Sequence, residues 1–175
     1  MFFKPRRPSP RLLSFDYQGS YAYHLVFTTR NRLPRFRDPR VVWSCLSCLQ
    51  ESASRYDFDV VAYCFMPNHL HLLVTGTDNA PLVRFAQHFK QATGHRHGGL
   101  WQRSYYDHII RREEALEDVA RYIWDNPVQA GLARQVTDYP YSGPREALAA
   151  YAGASPPADV EDRAKALSLR ARSAP

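Results

Sequence analysis

The chain has 175 residues, 45% hydrophobic and 13% aromatic, which suits one cored domain with tails and excludes a wholly disordered polymer. Its net charge is +6, carried mostly by arginine, since lysine occurs only at Lys4, Lys90 and Lys165. That balance favours an anionic partner, nucleic acid first, with a general bias toward arginine as the plain alternative.

Residues 1–15, "MFFKPRRPSPRLLSF", combine prolines and cations without an acid and read as a flexible basic arm. They lack the apolar core of a secretory leader, and no stretch nears the ~18 apolar residues of a membrane span. A cytoplasmic location is expected. Residues 16–152 are expected to form the domain and 153–175 a disordered tail. "SYAYHLVFTTR" (20–30) is β-branched and aromatic and predicts a strand. The basic loop "NRLPRFRDPR" follows, then a helix over 40–55. In that helix Cys45 and Cys48 share a face and read as small core residues. "FDVVAYCFM" (58–66) and "HLHLLVTG" (69–76) predict two strands joined by a tight turn at Pro67–Asn68. A second helix is expected from the cap-like Asp78–Asn79 and Pro81 to about residue 96. "SYYDHIIRR" (104–112) predicts a fourth strand, and "REEALEDVARYIWDN" a third helix with acids in its first turn. "NPVQAGLARQ" reads as a short turn or new helix. The order β-α-β-β-α-β-α predicts an α+β fold of the ferredoxin-like split βαβ kind. Its sheet would be mostly antiparallel, with helices on one face.

Candidate chemistry begins at "MPNHLHLL". Alternate side chains of a strand share a face, so His69 and His71 point one way and Leu70 and Leu72 the other. Two imidazoles on one face can share a divalent cation, or be two satisfied histidines on a half-exposed sheet. The third helix puts Tyr122 and Asn126 four residues apart on one side. Alone, Tyr122 reads as packing at the edge of the Leu116, Ala120 and Ile123 stripe. Asn126 alone reads as the N-cap of a helix starting at Pro127. "GHRH" holds a second His-x-His, His95 and His97, in what reads as a glycine-rich loop. Arg30, Arg32, Arg35 and Arg37 form a cationic cluster, and Lys90, Gln102 and Arg103 join them as candidate DNA contacts or solvated surface.

Together, "YAYHLVFTTRNRLPRF", "FMPNHLHLLV", "GGLWQRSYYDHIIR" and "ARYIWDNPVQAGL" resemble the single-tyrosine, IS200-like transposases of the His-hydrophobic-His superfamily. The likeness is greatest to the branch associated with repetitive extragenic palindromes (REP). It covers residues 15–143 or so. The resemblance implies that His69, His71 and Asn126 hold a divalent metal, Mg²⁺ or Mn²⁺. It implies that Tyr122 is a nucleophile forming a 5′-phosphotyrosine, and that the partner is single-stranded or hairpin DNA. The protein would be a monomer or a homodimer. Two other readings stand beside it: a non-catalytic DNA-binding protein that keeps the fold, and a metal-dependent phosphodiesterase using activated water.

Overall fold

A computed structural model describes residues 20–110 and 116–144. The basic arm and the C-terminal tail lie outside the described residues. Five strands form one antiparallel sheet: β1 (Ala22–Thr28), β2 (Phe58–Met66), β3 (His69–Gly76), β4 (Tyr106–Ile110) and β5 (Ser142–Pro144), in the spatial order β4-β1-β3-β2-β5. Three helices accompany it: α1 (Pro39–Arg55), α2 (Leu82–Arg96) and α3 (Leu116–Gln129). No helix among the described residues is long and apolar enough to cross a membrane.

The α+β class and antiparallel sheet agree with expectation, but the helices do not all lie on one face. In β1, Tyr23, Leu25 and Phe27 point toward α2, where Phe27 packs on Phe89 with ring centroids 5.3 Å apart. By register, Leu70, Leu72 and Val74 of β3 share that face. α1 joins it by packing against α2, with Ser52 and His88 bonded at 2.8 Å. The opposite face carries His24, His71 and Leu73, and there α3 sits, with Tyr122 beside both histidines. The physical reason is legible in β2 and β3. "AYCFM" and "LHLLV" are buried at every position, so neither strand has a face for water. A strand buried on both sides needs a layer on each.

The hairpin forms as predicted. Met66 pairs with His69, leaving Pro67 and Asn68 as a two-residue connection. Asp38 caps α1, accepting from the Arg40 amide at 2.9 Å, with Pro39 at the first helical position. α2 begins at Leu82, after Pro81, and no side chain caps it, so Asp78 and Asn79 lie in the preceding turn. Cys45, Cys48 and Cys64 are buried free thiols, and burial raises the pKa of each. α3 runs straight through Pro127 to Gln129, so Asn126 is an interior helical residue and not the cap of a new helix. β5, "SGP", was not expected. Three residues with a glycine and a proline carry no strand periodicity, and only pairing with Ala62–Cys64 makes them one.

Candidate active site

The two-residue turn fixes the start of β3 and so places His69 and His71. Main-chain bonds hold the turn in place: the Asn68 carbonyl accepts from the Thr29 amide at 3.0 Å and from Thr29 Oγ1 at 2.9 Å, and the Pro67 carbonyl from the Phe36 amide at 3.0 Å. The two imidazoles converge until their Nε2 atoms are 3.1 Å apart. Strand rise alone would separate alternate side chains by roughly 7 Å, so ring orientation closes the gap. His69 Nδ1 donates to Asn68 Oδ1 at 2.7 Å, since an amide oxygen only accepts. His71 Nδ1 faces His24 Nε2 at 3.1 Å, the two rings lying edge to edge with their planes inclined by 21°.

His24 had no site role in the sequence reading. It lies between Tyr23 and Leu25 in a run that looks like core. Its place beside His71 depends on the β1–β3 register, in which Val26 pairs with His71. Burial pushes His24 and His69 down to about 4 and His71 well below its ordinary value. Neighbouring positive charge adds to this: His108 acts on His24, Arg32 on His69, and His24 and His69 on His71. The three rings are neutral at pH 7, the state in which an imidazole ligates metal.

The Tyr122 ring stands edge-on to His24 and to His71, each 6.0 Å away between centroids. It is half-buried, and burial raises its phenol pKa while a hydrogen bond with Asn126 pulls it partly back. Pro127 has no N–H, so the Ile123 carbonyl lacks its usual helical donor. The Asn126 amide leans over this gap, with Nδ2 2.7 Å from the Tyr122 carbonyl and 3.5 Å from that of Ile123. The structure thus brings Tyr122 against the histidine pair and ties Asn126 to Tyr122.

The donor set suits a divalent ion. Two neutral imidazoles with Nε2 atoms 3.1 Å apart match neighbouring ligands on one ion with metal–nitrogen bonds of about 2.1 Å. His24 Nε2 points at His71 Nδ1 and not at the shared Nε2 position, so the three histidines form a chain rather than a cage. Accordingly, no three His, Cys, Asp or Glu side chains among the described residues converge as a ready site. Further ligands would be amide, water or substrate oxygens, and Asn126, four residues after Tyr122 on α3, carries an amide.

The cationic candidates divide. Arg30, Asn31, Gly99, Trp101, Gln102 and Arg103 line an open groove of about 520 Å³. Residues 100–102 run beside the end of β1, with Arg30 N bonded to Leu100 O at 2.8 Å and Gln102 N to Thr28 O at 2.9 Å. Trp101 pins this segment, donating to Thr93 Oγ1 at 2.7 Å and packing on Phe27, Phe36 and Phe89. Asn31 and Arg32 adopt left-handed backbone (φ 56° and 54°), and Arg32 comes close enough to act on His69. Lys90 holds the groove from beneath, donating to the Gln102 and Arg103 carbonyls at 2.7 Å each. Arg35 donates to the His97 carbonyl at 3.3 Å, and Arg37 acts on the buried Tyr139. His95 and His97 are the last residue but one of α2 and its C-cap, not members of a glycine-rich loop.

The chain is similar to known proteins in sequence and in fold. The family model described as "Transposase IS200 like" matches residues 17–126. A Haemophilus influenzae protein provisionally named a REP-associated tyrosine transposase is 32% identical over 113 residues, 55% of this chain and 64% of its own length. The REP-associated tyrosine transposase of Escherichia coli K12 is 30% identical over 90 residues, 49% of this chain and 53% of its own. The chain thus spans between half and two thirds of these relatives' length. A solved structure, a REP-associated tyrosine transposase bound to a REP hairpin, shares the fold with a TM-score of 0.63 at 22% identity, covering 81% of this chain and 82% of that one. With the family model matching well over half of its length, this chain belongs to the IS200-like transposase family.

Proposed function

We propose that this chain is a metal-dependent DNA transposase that cleaves and rejoins single-stranded DNA beside a hairpin, with Tyr122 as nucleophile. The observation that carries this reading is the Tyr122 ring 6.0 Å from that of His71, which itself opposes His69 at 3.1 Å. The names of the relatives, and the REP hairpin held by the structural neighbour, support a palindrome-associated hairpin as the substrate class.

Tyr122 Oη attacks the scissile phosphorus, and the bond from phosphorus to the 3′ oxygen breaks. The phenol proton goes to solvent and the departing oxygen takes one up, leaving a 5′-phosphotyrosine and a free 3′-OH. Attack by the 3′-OH of another strand reverses the step and restores Tyr122. His69, His71 and the Asn126 amide would hold a divalent ion, Mg²⁺ or Mn²⁺, which when bound would supply charge stabilisation at the phosphate. Asn126 also holds the Tyr122 phenol through its hydrogen bond. Arg30, Gln102 and Arg103 around the groove, with Arg32 near His69, are placed to take the strand's phosphates. Lys90 serves this surface by fixing its backbone.

The test is incubation of the full chain and Mn²⁺ or Mg²⁺ with labelled hairpin DNA from beside its own gene, resolved on a denaturing gel. A covalent protein–DNA adduct that disappears in Tyr122→Phe is the expected result. Cleavage that survives Tyr122→Phe would transfer the chemistry to activated water. Binding with no adduct across several hairpins and both metals would leave a DNA-binding protein on a transposase fold.

A further inference from the structure

We infer that His24 is a positioning residue for His71, and that metal binding reverses the direction of the hydrogen bond between them. The inference rests on the metal-site reading above. Its starting point is a chain of contacts: His24 Nε2 to His71 Nδ1 at 3.1 Å, His71 Nε2 to His69 Nε2 at 3.1 Å, and His69 Nδ1 to Asn68 Oδ1 at 2.7 Å.

Each neutral imidazole carries one N–H, and that fixes the direction of every link. Asn68 Oδ1 only accepts, so the His69 proton is on Nδ1 and His69 Nε2 is bare. His71 Nε2 faces that bare nitrogen and must donate, so His71 Nδ1 is bare in turn. His24 Nε2 therefore donates to it. Without metal, all donation runs one way, from His24 through His71 and His69 to Asn68.

That arrangement blocks ligation at one atom. His69 Nε2 is already a lone pair, but His71 Nε2 carries a proton. To ligate through Nε2, His71 must hold its proton on Nδ1. His24 Nε2 must then be bare to accept it, which leaves the His24 proton on its own Nδ1. Two protons change nitrogen, through water, and the number bound stays the same. His24 can serve both states, because an imidazole can donate or accept at Nε2 according to tautomer, though accepting places its own proton on the buried Nδ1. Its near-coplanar, edge-to-edge alignment with His71, at 21°, and the β1–β3 register beneath, hold the ring in line either way. An outer partner that fixes the tautomer and orientation of a ligating histidine is a recurring feature of metal sites.

The test uses the full chain with ¹⁵N-labelled histidine. Long-range ¹H–¹⁵N spectra are expected to show the His24 and His71 protons on Nε2 without metal, and both on Nδ1 at saturating Mg²⁺. Mn²⁺ affinity, read by electron paramagnetic resonance, should fall roughly 10- to 100-fold in His24→Leu, which cannot accept. His24→Gln, which offers an amide near the position of Nε2, should keep most of the affinity. Wild-type spectra decide the matter if His24→Leu fails to fold. His71 tautomers that do not change with Mg²⁺, or His24→Leu with wild-type Mn²⁺ affinity, would overturn the inference alone. A wild-type chain that binds no Mn²⁺ would overturn the metal-site reading and this inference with it.

Discussion

The chain contains two His-x-His sequences, and their backbones decide their fates. His69 and His71 lie on a strand, where alternate side chains share a face, and their Nε2 atoms meet at 3.1 Å. His95 and His97 close a helix, where two residues span about 200° of rotation, so one ring turns away from the other. His95 is exposed, while His97 is partly buried and depressed by burial and by the cations Arg35 and Arg96. The same three-residue spacing thus builds a converging pair in one place and two unrelated side chains in the other. A histidine spacing has chemical meaning only once its backbone is known.

The largest expected effect tests that contrast directly. His71→Ala and His69→Ala should each slow hairpin cleavage at least ~10³-fold, as loss of several kcal/mol of charge stabilisation requires. His95→Ala and His97→Ala should stay close to wild type in the same single-turnover assay. Comparable losses in all four variants would put the second motif into the chemistry. A middle-sized effect concerns what orients the first pair. Asn68→Ala removes the Oδ1 that holds His69 but keeps the main-chain carbonyl that accepts from Thr29. Mn²⁺ affinity should drop roughly tenfold, with little change in the thermal midpoint. An unchanged affinity would mean that the strand alone orients His69. The smallest effect sharpens the other side. In Arg35→Ala, the His97 pKa should rise toward its ordinary value, since a nearby cation that disfavours the charged ring is gone. A titration of the ring proton by NMR would show it, and a static or falling value would assign the depression to burial and Arg96.

Much of the fold was legible because hydrophobic periodicity and turn residues are local. The four longer strands, α1, and the Pro67–Asn68 turn needed no partner to be recognised. α3 crossed to the second face because "AYCFM" and "LHLLV" are buried throughout, which a single strand's pattern shows only as a loss of alternation. β5 has no pattern of its own and exists through pairing. In the site, Tyr122 and Asn126 stood out only through family likeness, for each has an ordinary structural explanation when taken alone. The Asn-Pro pair invited reading as a helix start, yet the helix runs through Pro127, with the Asn126 amide turned back onto the Tyr122 carbonyl. His24 was hidden for a different reason. Nothing within "YAYHLVF" says which residue of β3 will lie beside it, and register between distant strands is not a local property.

The place of β3 in the sheet bears on how long the proposed metal site would endure. It is the middle strand of five, bonded to β1 on one edge and β2 on the other. Segments so enclosed exchange their amide hydrogens last, because they open only when the whole fold opens. The histidine pair therefore persists for as long as the molecule is native. A chelator should strip the ion yet leave slow exchange along β3 intact, and returning the ion should restore the site without refolding. On the proposed metal site, loss of the ion would be a pause in the protein's working life and not the start of its decay.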